Sequence, residues 1–450
     1  MTAAPIAPAA PIVLSDADAK LRRVIGPGTI ALNAMNVTIA SGIFALPAVI
    51  SAIIGPAAVY AYLICGAAMA LVLLCYAELG STTLRSGGGY AYIERSFGPF
   101  WAFLAGVLLW FAFGVLSNAA IATAIAQTVG AAFPAFSAPL PRALLLIAYF
   151  AVIIAVNIIG TRAGARVAVV LTVIKLVPLV VLVVAAIPSL KLVAITGGGL
   201  PPMSKLGEAS LILFFAFTGA EAALTPSGEI ANVRRDVPRG IMLGCAGVIL
   251  VYLAVHVAAE SLLGGALATS GAAPLAAAAE IAMGPAGATL LLVGGVISMV
   301  ASNSGDMLAT PRCMFASAVD GQLPAVLARV HPTFRTPWVA ILVYGGLCCV
   351  LAIAGGFAWL AALASAGLLL VYFGVCLAVL RERMRAKGAE ATGFRIPGGP
   401  LVPVAGMLLV AALLANANAA EWKPLIGLLA VSSVYCAGRR LMTSRAVSST

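Results

Sequence analysis

Apolar runs of eighteen or more residues recur along nearly the whole chain, separated by short segments that collect Arg, Gly and Pro. A helix of that length crosses the hydrocarbon core of a bilayer, so the pattern predicts an all-α polytopic membrane protein. Twelve transmembrane helices are expected, at about 24–53, 56–83, 100–130, 142–160, 164–187, 206–231, 238–263, 286–312, 336–355, 357–380, 400–420 and 422–438. The first contains the sequence Thr38-Ile39-Ala40-Ser41-Gly42-Ile43-Phe44-Ala45-Leu46-Pro47. A glycine inside a helix costs about 1 kcal/mol relative to alanine, and a broken helix exposes backbone groups that lipid cannot satisfy. Gly42 therefore has two readings: a packing glycine that admits a neighbouring helix, or a break whose freed groups line a cavity.

The sixth span repeats the pattern. It reads Phe214-Phe215-Ala216-Phe217-Thr218-Gly219-Ala220-Glu221, with Thr225-Pro226 close behind. A second small polar residue followed by Gly tips the balance towards broken helices. The two lie five spans apart, an odd number, so two such halves enter the membrane with opposite topology. That arrangement points to an inverted-repeat transporter with its site between the discontinuous helices. Bare amides and helix N-termini favour an anionic group, and bare carbonyls favour a cation. An amino acid, or a similar small charged solute, satisfies both.

Composition agrees. Hydrophobic residues make up 62% of the chain and charged residues 9%, with mean hydropathy +1.11, which leaves too little polar surface for a soluble domain. Residues 1–20, rich in Ala and Pro and carrying Asp16 and Asp18, lack a signal-peptide pattern and are expected to form a disordered cytoplasmic tail. The net charge of +11 does not indicate a nucleic-acid partner, because the basic residues are scattered between spans. Twenty-one of the 26 fall in connections on the side of the N-terminus. Arg142, Lys191, Lys205 and Lys423 fall on the other side, and Lys175 lies within a span. The positive-inside rule then places both termini in the cytoplasm.

Eight cysteines lie in or beside apolar spans without metal-type spacing, and His256 and His331 are the only histidines, so no metal site and no cofactor are expected. HExxH, GxSxG and GxxxxGK[ST] motifs are absent, which argues against an enzyme. No repeated filter loop suggests a channel. Among the connections, 85–99 is expected to form an interfacial helix, 315–335 a cytoplasmic helix, and 264–285 a small-residue loop over the external mouth. Glu78 reads as one half of a salt bridge near a span end, and His256 as a satisfied packing histidine. Asn118, Gln127 and Asn157 read as inter-helix hydrogen bonders.

Four stretches, TIASGIFALP, YAELG followed by GGGYAYIERSFGPF, FAFTGAEAALTPSGEIANVRRDVPRGI and SGDMLATPRCMFASAVDGQLPAVLARV, resemble the amino acid–polyamine–organocation superfamily of permeases. The resemblance runs from residue 22 to about residue 440. It implies the leucine-transporter-type fold, with a five-plus-five inverted repeat, discontinuous spans 1 and 6, and two additional C-terminal helices. The expected division is a tail at 1–20, a core at 21–385 built of repeats at about 21–190 and 206–385, two further helices at 400–440, and a tail at 441–450. Alternating access is implied as well.

Carried over by residue, the resemblance gives the N–H groups of Ala40, Ser41 and Gly42, next to Ile43, to a substrate carboxylate. It gives carbonyls near Thr38 and Ile39, with those of Phe215, Ala216 and Phe217 ahead of Thr218 and Gly219, to an ammonium group. Phe215 occupies the position of an aromatic that closes over the substrate, and Phe217 is either such a residue or packing. Ala40 departs from the family's usual Gly-Ser-Gly and narrows the site by a methyl group or leaves it unaffected. Charges at bilayer depth are costly, which singles out three more residues. Lys175 is either a snorkelling lysine or a substitute for a sodium ion and a carrier of the coupling proton. Glu221 either bonds amides freed at the break or couples protons. Asp306 binds a cationic side chain, pairs with Lys175, or caps a distorted helix. The implied function is sodium-independent transport of amino acids across the plasma membrane, by proton symport or exchange, among membrane lipid and with no assigned oligomeric state. The alternatives are a polyamine or cationic amino acid carrier and, more remotely, a substrate-sensing receptor.

Overall fold

The chain folds as a series of helices, some continuous and some interrupted. The structure, a computed structural model, describes residues 26–82, 88–159, 164–224, 230, 232–319, 321–385 and 394–448. The expected tail at 1–20, Thr225-Pro226 and Asp320 lie outside them. The first helix, α1 (Pro27–Thr38), opens on a proline, where no intrahelical donor is lost. Ile39, Ala40 and Ser41 separate it from α2 (Gly42–Ile54). Next come α3 (Ala58–Thr82), α4 (Gly88–Phe97), α5 (Pro99–Val107) and α6 (Leu116–Ala132). The last two are joined through π-helical turns at Leu108–Val115, a geometry that is rare and concentrates at functional sites. They are followed by α7 (Pro139–Ile159), α8 (Gly164–Ala186), the short α9 (Leu192–Thr196) and α10 (Met203–Phe217). The remainder is α11 (Val233–Leu263), α12 (Pro274–Val319), α13 (Trp338–Ala354), α14 (Phe357–Arg385), α15 (Leu401–Leu414) and α16 (Ala419–Ser448).

Among the described residues there is no strand, and six helical segments are long and apolar enough to cross a membrane, or seven if the pair α15–α16, bent by 114°, counts as one span. Lys175–Ser189 and Trp338–Ala354 are shorter apolar helices, and the stretches at 24–53 and 206–231 are interrupted, after Thr38 and after Phe217. This is the architecture of a polytopic helical membrane protein.

Burial separates inner helices from outer ones. The most apolar stretch of α14 is 72% buried within the protein and that of α7 only 17%. Leu140, Leu144, Val152 and Val156 of α7 face outward, a surface suited to lipid. Around the core, α1 lies along α11, α2 packs on α10 and α12, and α8 packs on α12. Small residues make the first contact close. A Cβ at Gly244 would lie 2.8 Å from that of Ala34, so only glycine allows α11 this near to α1.

The segment expected as an interfacial helix at 85–99 is helical over Gly88–Phe97. Arg95 of α4 pairs with Glu382 at 3.1 Å, and the Arg381 guanidinium lies 4.9 Å over the Phe97 ring, which ties α4 to the end of α14. Glu78 forms its expected salt bridge, accepting from Arg383 at 2.6 and 2.5 Å and from the Ile396 N–H at 2.8 Å.

Three expectations need correction. The segment 264–285 is largely helical: a turn at Gly264–Thr269 packs on α2, and α12 already begins at Pro274, with a sharp bend at Gly284 (φ 69°). Its small residues are mostly alanines, which favour helix over loop. Beyond Val319, the expected cytoplasmic helix reduces to one turn at Ala325–Ala328, introduced by Pro324. Asn157 donates at 2.9 Å to Ile153 O of its own helix rather than across to another.

Candidate functional site

Both helix breaks lie in the interior and face one cavity of about 330 Å³. α1 stops because Ile39 leaves the helical conformation (φ −75°, ψ 88°), its N–H making the last bond, to Met35 O at 2.9 Å. The carbonyls of Asn36 and Thr38 have therefore lost the N–H groups four residues ahead that a continuous helix supplies. α2 starts afresh at Gly42, with Phe44 and Ala45 N–H bonding back to Ser41 O at 3.0 and 3.2 Å. Among the described residues, the N–H groups of Ala40, Ser41, Gly42 and Ile43 find no backbone acceptor. A helix N-terminus with unengaged amides carries partial positive charge and suits a carboxylate.

The second break mirrors the first. α10 ends at Phe217, Thr218 turns extended (φ −75°, ψ 153°), and Gly219 adopts φ +104°, which L side chains rarely take. Glu221 accepts from the Gly219 N–H at 3.2 Å, so it does bond an amide freed by the break. The two breaks touch at Gly42 and Ala216, so Gly42 both follows a helix interruption and lets a neighbouring helix come close.

Thr38, Ala40, Ser41 and Gly42 line the cavity on one side and Phe215, Ala216 and Thr218 on another. Ile39, Ile43 and Phe217 point into the core instead. Phe217 stacks edge-on against Tyr252 and Tyr62, with centroids 5.1 and 6.4 Å away, and is a packing residue here. Phe215 combines cavity lining with an edge-on contact to Phe357 at 6.1 Å.

Lys175 is 3% exposed, lines the cavity, and donates from Nζ to Asn36 O, taking the place of the missing helical N–H. It is anchored inside the protein rather than extended to the membrane surface. Asp306 lines the cavity from α12, on one helical face with Ser302, Gly305 and Ala309. Its Oδ2 accepts from Asn118 Nδ2 at 3.2 Å, and no ion pair joins it to Lys175. Asn118 also donates to Tyr344 Oη at 2.9 Å, and Asn303 Nδ2 donates to Asn118 O at 3.2 Å. Asn118 is thus an inter-helix hydrogen bonder, as expected.

Two contributors were missed in the sequence. Asn36 acts through its backbone, which its identity could not reveal. Tyr252 is fully buried on α11, with its hydroxyl 2.8 Å from Thr38 O and 2.7 Å from Ala216 O, the orphaned carbonyls of both breaks. A tyrosine in the middle of an apolar span, whose hydroxyl must find a partner, was the available signal. His256, one turn further along α11, is fully buried but not satisfied as expected, since neither ring nitrogen has a partner among the described residues. Its ring packs on Tyr62 at 4.9 Å.

Two broken helices that meet around a small interior cavity in a helical membrane protein are the arrangement expected of a transporter. The comparison with known families agrees and is more specific. Residues 26–433 match the amino acid permease family model, and the chain belongs to that family, within the amino acid–polyamine–organocation superfamily. Its relatives include the serine/threonine exchanger SteT of Bacillus subtilis (strain 168), 28% identical over 81% of this chain and 84% of that protein. The methylthioribose transporter of the same organism is 28% identical over 85% and 86%. The branched-chain amino acid permease BcaP, also from that organism, is 24% identical over 90% of each chain.

Proposed function

We propose that the protein is a sodium-independent secondary transporter of amino acids in the plasma membrane, working by alternating access as a proton symporter or an exchanger. The observation that carries this reading is the convergence of the two breaks on one cavity, with the Lys175 ammonium seated on the Asn36 carbonyl. The free amides at 40–43 would take the substrate carboxylate, and the carbonyls of the second break its ammonium. The fixed positive charge of Lys175 stands in for a bound cation and favours sodium independence. The names of the relatives support an amino acid or similar small solute as substrate.

In this reading the chain crosses the membrane twelve times, with repeats at about 21–190 and 206–385 related by inversion, two extra helices at 400–440 and both termini in the cytoplasm. The distribution of basic residues supports that orientation. The test is counterflow of labelled amino acids in proteoliposomes without sodium, with and without a pH gradient. Uptake that requires internal substrate marks an exchanger, and uptake driven by the pH gradient alone marks a symporter. Uptake that appears only with sodium overturns the proposal.

A further inference from the structure

The two breaks account for the carboxylate and ammonium that every amino acid carries, and they leave the α12 wall of the cavity without an assigned role. That wall holds the one acidic side chain that lines the cavity among the described residues, Asp306. We propose that Asp306 forms a side-chain subsite for a cationic group, so that the transporter takes amino acids whose side chains end in an ammonium or guanidinium. The inference rests on the amino-acid reading above and specifies its substrate class.

Three observations carry it. First, the carboxylate has no basic partner: no ion pair engages it among the described residues, and Lys175, the cation on the same cavity, is bonded to Asn36 O. A carboxylate at membrane depth without a counter-charge is costly, and a cationic ligand relieves that cost. Second, the carboxylate is held in place. Asn118 donates one amide hydrogen to Asp306 Oδ2 and the other to Tyr344 Oη, while Asn303 fixes the Asn118 carbonyl. Both amide hydrogens of Asn118 are thereby committed, and Asp306 Oδ1 accepts from no donor among the described residues, which leaves it available to a ligand. Third, the cavity, at about 330 Å³, is at the small end of ligand sites, which keeps a bound side chain within a short distance of the α12 wall. Its other lining groups there, Ala301, Ser302, Gly305 and Ala309, are small and leave room for an unbranched chain.

Lysine and norleucine have side chains of the same carbon count and differ by the terminal ammonium, so their comparison isolates the proposed contact. In counterflow with the full-length protein, labelled L-lysine is expected to be preferred over L-norleucine by about 10- to 100-fold, the range for a charge-assisted contact. Asp306→Asn is expected to reduce that preference to within about threefold. Equal handling of the two amino acids by the unaltered protein, or a preference for norleucine, overturns the inference without any variant, so a misfolded variant does not protect it. A loss of both substrates by the same factor in D306N also overturns it and makes Asp306 a structural or proton-coupling residue. Exchange of serine or leucine without any lysine preference removes this inference alone. Failure to exchange any amino acid removes it together with the proposed function.

Discussion

Gly42 and Ala216 are in contact across the two helix breaks: a methyl group on Gly42 would lie 2.6 Å from the Ala216 Cβ and 2.8 Å from its Cα. Neither neighbour is the flexible end of a long side chain, so backbone must move to make room. Gly42→Ala is therefore expected to destabilise the protein by about 1–3 kcal/mol, the usual cost of overpacking. Because the shift falls between the two halves of the cavity, transport should drop at least as steeply. Thermal melting and counterflow on the same preparation measure both, and an unchanged melting temperature would contradict the contact.

Lys175→Ala removes the cation from the cavity and leaves Asn36 O without its partner. Transport is expected to fall to background while the protein remains monodisperse in detergent. Uptake at the unaltered rate in this variant would end the sodium-substitute reading.

Tyr252→Phe keeps the ring that packs on Phe217 and Tyr62 but deletes the hydroxyl beside Thr38 O and Ala216 O. Leaving buried acceptors unsatisfied costs about 1–3 kcal/mol. The variant should melt lower than the parent, and its defect should appear in transport as well, since both carbonyls border the cavity. Normal melting together with normal transport would show that the hydroxyl is dispensable.

Glu78 and Arg383 form an ion pair with only 10% and 11% of their side chains exposed. Arg383→Met strands a buried carboxylate, and breaking a buried pair from one side costs about 3–5 kcal/mol. Adding Glu78→Gln to that variant should restore part of the loss, because the stranded charge is then gone. A double variant no more stable than the single would argue against a direct pair.

The two breaks were legible in the sequence because their cause is local. Ser41-Gly42 and Thr218-Gly219 lower helix stability where they stand, whatever packs around them. Lys175 was legible for a related reason, since a charge in an apolar run must be answered somewhere. Its partner was not, because Asn36 contributes a main-chain oxygen that any residue would supply. Tyr252 escaped notice because its role depends on α11 lying along α1, a contact between segments more than two hundred residues apart. The stretch 264–285 was misjudged because small residues suit both a loop and the alanine-rich start of a helix. Phe215 and Phe217 were indistinguishable by type and were separated only by the direction each side chain takes from the end of α10.

Tyr252 carries a final consequence. A phenol has one proton, yet two orphaned carbonyls lie at 2.8 and 2.7 Å from its oxygen. At any instant the hydrogen is either shared between them or committed to one, and both oxygens are within reach of it. One phenol on α11 thereby serves both broken helices, and whichever carbonyl lacks its hydrogen is open to another donor.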